Sequence, residues 1–268
     1  MPQVVYPAAI VAAKTFSRAL GLRIRVEGAD NLPRTGGAVV AINHVGYLDF
    51  VYAGWAADQL RPKRLIRFAA KKEVFDHPVA GPLMRNMRHI AVDRESGASS
   101  YVSLVAALRR GELVGMFPEA TISRSFVLKD FKNGSARMAA DAAVPLVPLV
   151  VWGTQRLMTK GRPTNLQRGI TILNYVGEAL HPTPADDPTA VTAELKARMR
   201  TLLEKAQADY PDEPADDDDR WWLPVRLGGT APTPEEASDL DRKDFAARRA
   251  KQREAARAKA AKRGDKGA

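Results

Sequence analysis

Two uninterrupted apolar runs constrain the fold of this chain most tightly: Gly37-Ala38-Val39-Val40-Ala41-Ile42 and Val144-Pro145-Leu146-Val147-Pro148-Leu149-Val150-Val151. Both are short, the first stopping at Asn43-His44, and they read as buried strands. The prolines of the second run must then sit where no ladder hydrogen bond is needed. Further strand-like segments are Leu22–Gly28, which alternates as an edge strand does, Arg64–Ala70, His89–Val92, Glu112–Phe117 and Ile170–Val176. Between them, Tyr47–Leu60, Pro78–Met87, Ser99–Arg110, Ser135–Ala143 and Thr189–Ala208 carry apolar residues at helical spacing. Strands separated by helices predict an α/β fold, a mixed and largely parallel central sheet flanked by helices. No internal repeat is present.

At 268 residues and 45% hydrophobic, the chain can build one substantial core. We place that body at residues 1–210. Residues 211–241 read as an acidic, Trp- and Pro-containing linker, and residues 242–268 as a basic tail, helical or disordered. The tail holds eleven Lys or Arg against three acidic residues, a net of +8 within the chain's +10, so the rest carries only +2. Charge therefore says little about the body's substrate. The tail either seeks an anionic surface or is merely solvated. A nucleic-acid partner is not expected, given a near-neutral body and no base-stacking motif. The pair Trp221-Trp222 docks on the body or sits at a membrane interface.

Cysteine is absent, which excludes disulfides, thiolate catalysis and Cys-ligated metals; no metal is expected. Residues 3–20 predict an amphipathic helix. Its apolar stretch Val4–Ala13 contains Pro7 and falls short of the ~20 residues needed to cross a bilayer. Neither a transmembrane helix nor a signal-peptide pattern is expected. Ile10, Val11, Phe16 and Leu20 form one apolar side, which lies on a membrane surface or packs on the protein's own core.

The chemistry-bearing residues follow the strands. Asn43-His44 ends the first apolar run, and Asp49 follows in what should be the first turn of the next helix. At that spacing Asp49 can hold one imidazole nitrogen and leave the other free, the base and orienter of a catalytic triad. A hydroxyl arriving with the substrate would replace the usual serine. A lone His near an Asp is more often a cap or a surface hydrogen bond, so the pair needs support from elsewhere. Phe117-Pro118-Glu119 leaves another strand into the hydroxyl-rich loop Ala120–Ser125. There, backbone amides with Thr121, Ser123 and Arg124 can cradle a phosphate, and Lys129, Lys132 and Arg137 follow closely.

Taken in order, these pieces resemble the lysophosphatidic acid acyltransferase family, the glycerophospholipid acyltransferases. Its N-H-x4-D motif is present as Asn43, His44 and Asp49. Its second motif, ending I-D-R, looks like Ile90-Ala91-Val92-Asp93-Arg94. Its F-P-E-G-T-R-S motif is matched at Phe117, Pro118, Glu119, Thr121 and Ser123, and its V-P-hydrophobic-hydrophobic-P strand at Val144–Pro148. Ala70-Lys71-Lys72-Glu73 is similar to the family's A-K-K-E. The resemblance covers about residues 20–180. Ala120 and Ile122 stand where the family has glycine and arginine, and Arg88 stands near a further family glycine. The family's arginine is held to bind the acceptor's phosphate, so either another cation serves, Arg124 first with Arg94, Lys71 and Arg137 as the others, or the acceptor differs.

The resemblance implies acyl transfer from acyl-CoA or an acyl-carrier protein to a hydroxyl of 1-acylglycerol-3-phosphate, with glycerol-3-phosphate or another lysolipid as the alternative acceptor. His44 would be the base and Asp49 its orienter, with acyl-CoA a co-substrate rather than a cofactor. An imidazole, titrating ordinarily near about 6.5, suits proton abstraction near neutral pH. Backbone amides just after His44 are the expected oxyanion donors. Glu119 orders the acceptor or the phosphate loop, or forms a salt bridge to Arg94 or Arg124. A lipid product implies a peripheral position at the cytoplasmic face of a membrane with an anionic surface. A non-catalytic lipid- or CoA-binding protein of the same fold is the reading from another class.

Overall fold

The computed structural model describes residues 5–93 and 97–264. The chain divides into two compact units, residues 1–123 with 128–215, and residues 124–127 with 216–268. In the first unit the helices are α1 (Val5–Ala19), α2 (Asp49–Gln59), α3 (Lys72–Asp76), α4 (Ala80–Asn86), α5 (Gly97–Arg109), α6 (Gly134–Ala142) and α7 (Pro188–Ala208). Its strands are β1 (Arg23–Glu27), β2 (Ala38–Ile42), β3 (Ile66–Lys71), β4 (Ile90–Val92), β5 (Leu113–Met116), β6 (Leu146–Trp152) and β7 (Thr171–Val176).

The seven strands form one sheet in the order β1-β7-β6-β2-β5-β3-β4. Every pairing is parallel except β6 with β7. The two apolar runs become the adjacent central strands β2 and β6, in which every residue is buried. Helices cover both faces of a parallel sheet, so its middle strands have no polar face to present. One core patch gathers Val40, Ile42, Ile66, Leu149 and Ile172 from the sheet with Tyr52, Ala53 and Ala57 from α2. β1 alternates between half-buried and exposed residues, as an edge strand should.

Pro148 lies inside β6 and yet breaks no ladder. Its carbonyl accepts from Gly177 N at 2.9 Å, just beyond the antiparallel register that starts at Leu149 opposite Val176. The donor that proline lacks would point the same way, past the end of the pairing.

In the second unit, short 3-10 turns at Asp218–Trp222 and Val225–Leu227 lead to α8 (Pro234–Gly264). α8 begins ahead of residue 242, where the basic tail was expected to start. The cause is a capping box: Glu236 N donates to Thr233 Oγ1 (3.2 Å) and Thr233 N to Glu236 Oε2 (2.9 Å), with Pro234 opening the helix. Trp222 is buried and Trp221 half-buried. No described helix is long and apolar enough to cross a membrane.

Candidate active site

Three neighbouring strands deliver the site. β2 ends at Asn43-His44, β5 at Phe117-Pro118-Glu119, and β6 leads into Gly153-Thr154. All three run in the same direction, so their carboxyl ends meet at one edge of the sheet. Asn43 is fully buried and extends the β2–β6 pairing with its side chain. It donates to Val151 O (3.0 Å) and accepts from Val151 N (2.7 Å), which fixes where the strand stops and His44 begins.

His44 Nδ1 lies 2.9 Å from Asp49 Oδ2. The same oxygen accepts from Val45 N (2.8 Å) and Gly46 N (2.9 Å), and Thr154 Oγ1 donates to Asp49 Oδ1. Asp49 is completely buried. Its other partners are all donors, so Nδ1 carries the proton and donates as well. His44 Nε2 is left with no hydrogen-bond partner among the described residues. The ring lies nearly flat on Phe117, at 4.1 Å between centroids and 23° between planes.

These bonds overturn one expectation. The amides after His44 are not oxyanion donors: Val45 N and Gly46 N are spent on Asp49, and Tyr47 N donates to Met158 O (2.9 Å). The turn needs Gly46, because a Cβ there would come within 2.9 Å of Met158 O and 3.1 Å of Thr154. Thr154 is positioned by Gly153, whose φ of +103° and close approach to Thr171 O, 2.1 Å from a would-be Cβ, admit only glycine.

Of the two roles expected for Glu119, the ion pair is not formed among the described residues. It accepts from His44 N (2.8 Å) and Lys129 N (2.9 Å), tying the β2 turn to the segment ahead of α6. Ser123 N completes the tie to His44 O at 2.7 Å. Burial pushes the Glu119 carboxyl up to about 7, against the pull of the two amides.

A cleft of about 390 Å³ opens beside His44, lined by Tyr47, Phe50, Ala69 to Lys71, Val92, Met116 to Pro118, Ala120, Lys132, Gly134 and Ser135. Of the expected phosphate-binding cations, Lys71 lines it. Arg124 instead pairs with Asp244 (2.6 Å) and Asp241 (3.5 Å) of α8. Arg137 is exposed, with its guanidinium 5.9 Å from the Tyr101 ring. Arg94 lies outside the described residues. Thr121 and Ser123 stand in the Glu119 loop and not on the cleft wall. Ile122, at the position of the family's arginine, is buried and is not part of the cleft wall.

The two replaced glycines keep a glycine-like backbone, with φ +61° at Ala120 and +56° at Arg88. Thr154, Phe117 as a stacking partner, Gly134 and Ser135 escaped sequence reasoning. Only Phe117 carried a signal, as the first residue of its motif.

Glu119 makes a pH prediction. Its folded pKa of about 7 exceeds the ordinary 4.5, so the native state holds the extra proton. Its stabilising contribution is full below about 4.5 and is lost as pH rises through about 7. Urea unfolding across pH should show the stability of wild type minus that of Glu119→Gln falling over this window. A difference that is flat or rises with pH contradicts the assignment.

Comparison with known proteins bears on the family of this chain. A family model described as acyltransferase matches residues 23–152. The 1-acyl-sn-glycerol-3-phosphate acyltransferase of Bacillus subtilis is 30% identical over 192 residues, which cover 68% of this chain and 89% of that protein. The enzyme of the same name from Limnanthes douglasii is 31% identical over 145 residues, and the match spans 53% of this chain and 49% of that longer protein. The crystal structure of the 1-acyl-sn-glycerophosphate acyltransferase of Thermotoga maritima shares the fold, with a TM-score of 0.62 over 76% of this chain and 81% of that one at 21% identity. Family motifs that meet around one cleft, and a bacterial relative matched along most of its length, make this chain a member of the acyltransferase family.

Proposed function

We propose that the protein transfers a fatty acyl group from a thioester donor to the free hydroxyl of 1-acylglycerol-3-phosphate, making phosphatidic acid. The carrying observation is the buried Asp49 that holds His44 Nδ1 and leaves Nε2 without a partner beside the cleft. The names of the relatives supply the substrate class. Nε2 takes the proton of the acceptor hydroxyl as its oxygen attacks the thioester carbonyl. The tetrahedral intermediate then expels the thiolate, which takes the proton back from His44. Asp49 keeps the imidazole in the productive tautomer and stabilises the imidazolium. The chain has no cysteine and no G-x-S-x-G elbow, so no acyl-enzyme is required. Acyl-CoA is the donor we favour, with an acyl-carrier protein as the alternative.

The acyl chain needs an apolar recess. A second cavity of about 130 Å³ lies between α1, α2 and β3 and shares Phe50 with the catalytic cleft. Its wall includes Ile10, Val51, Gly54, Trp55, Ile66 and Phe68. Burial and the Arg67 charge lower the pKa of His89, another wall residue, to about 4, so that part of the wall is uncharged near neutrality.

A peripheral position at the cytoplasmic face of a membrane fits a lipid product. Val11 and Phe16 of α1, Val79 beside α4 and Leu83 within it are exposed apolar side chains. The basic stretch of α8 adds attraction to anionic lipid, at roughly 1 kcal/mol per Lys or Arg near the surface.

Three outcomes test this reading. Labelled acyl transfer, with acyl-CoA and acyl-carrier-protein donors against a panel of acceptors, should fall by ~10²–10⁴-fold in His44→Ala while thermal unfolding is preserved. Equal background incorporation in wild type and variant would leave only a lipid- or CoA-binding protein. A Cβ on Gly54 meets nothing within 4 Å, so Gly54→Leu should project into the second cavity. Donor competition should then favour shorter chains, about 0.8 kcal/mol per methylene excluded; an unchanged ranking places the chain elsewhere. Deleting residues 242–268 should weaken binding to anionic vesicles at low salt, and undiminished binding rejects that role for the tail.

A further inference from the structure

The reading of the acceptor as a lysophospholipid leaves a chemical gap, since the family's phosphate-binding arginine is the buried Ile122 and Arg124 is engaged by two aspartates. We propose that the acceptor's phosphomonoester is bound by the N-terminus of α6 together with Ser135 and Lys132. This inference rests on the function proposed above and adds the residues that read the phosphate.

Several independent observations converge there. Gly134 and Ser135, the first residues of α6, line the same cleft as His44. The leading amides of a helix have no partner within it, and the residue before this one, Asn133, provides no side-chain cap. Asn133 instead donates to Thr189 Oγ1. Ser135 is only 2% exposed, and its Oγ is a buried polar atom with no hydrogen-bond partner among the described residues. A buried hydroxyl without a partner, on a residue that lines a cleft, costs stability. An anionic oxygen in the cleft would satisfy both the hydroxyl and the amides.

Lys132 supplies the charge. Its amide donates to Pro118 O (3.0 Å), which anchors it beside the Phe117-Pro118 wall. Its side chain is exposed, lines the cleft and makes no ion pair among the described residues. Asp130, two positions earlier, is paired with Lys196 at 2.8 Å. A Cβ on Gly134 would meet nothing nearer than the Met138 methyl at 3.8 Å, so the space over the helix end stays clear. A helix N-terminus whose leading amides have no acceptor among the described residues, a hydroxyl donor and an ammonium form a phosphate site of ordinary chemistry. Lys71 lines the same cleft as a further cation.

Steady-state kinetics on the full chain test this. Lys132→Ala should raise KM for 1-acylglycerol-3-phosphate by about tenfold, as expected for one lost charge-assisted hydrogen bond. KM for the acyl donor should stay constant, and so should turnover of a monoacylglycerol that lacks the phosphate. Lys132→Arg should restore most of the loss, and Ser135→Ala should raise acceptor KM several-fold. Lys132 is exposed, so its variants report on binding even if Ser135→Ala folds poorly. An unchanged acceptor KM in Lys132→Ala overturns the proposal. A rise confined to the donor KM also overturns it and assigns the site to a phosphate of coenzyme A. If wild type transfers no acyl group, the acyltransferase reading fails by itself. The phosphate site is then decided by glycerol 3-phosphate, which should raise the Tm of wild type but not of Lys132→Ala; no shift in wild type rejects it.

Discussion

The site depends on a single buried carboxylate. Asp49 has no exposed surface, and an ion so placed is tolerable only when donors replace the water it has lost. Four do so: two backbone amides of the His44 turn, the His44 ring and the Thr154 hydroxyl. These donors come from two loops that meet only because β2 and β6 are neighbours in the sheet. The electrostatic need of one side chain thus couples the turn, the imidazole tautomer and the loop after β6. The amides that satisfy Asp49 are unavailable to any other acceptor, so the His44 ring is oriented at the expense of two donors beside it.

A second brace works through backbone. Glu119 and Ser123 hold the amide and the carbonyl of His44, so the residue is fixed on the β5 side as Asp49 fixes it on the β6 side. Phe117 then covers one face of the ring. The loop that contains Glu119 departs from the family pattern in residue type while Ala120 keeps a backbone that favours glycine. Ala120 and Arg88 keep left-handed backbones at a cost of roughly 1–2 kcal/mol each relative to a relaxed conformation. That cost is small beside the consequence of moving Glu119. Ile122 differs in kind: it removes a charge, and the cations and amides that line the cleft lie across it on α6, its approach segment and β3.

Much of this was legible in the chain. The apolar runs at 37–42 and 144–151 are strands because nothing else of that length hides so many β-branched residues, and the spacing of His44 and Asp49 fits a base and its orienter. Harder to read were contacts between residues remote in sequence and ordinary in type. Thr154 is an unremarkable threonine 105 positions from the carboxylate it serves. Ser135 and Lys132 resemble solvated loop residues until α6 is set against the cleft. Arg124 looked like a phosphate ligand because its neighbours are hydroxyls, yet two aspartates more than a hundred positions later hold it.

Local chemistry by itself therefore determined the secondary elements, the parallel sheet and the pairing of His44 with Asp49, since each follows from periodicity or from groups within one turn of each other. Tertiary structure decided which donors surround the buried Asp49, which cations reach the cleft and where the apolar cavity beside it opens. Those outcomes are set by the order of strands in the sheet, and strand order brings together residues whose separation along the chain carries no signal of their contact.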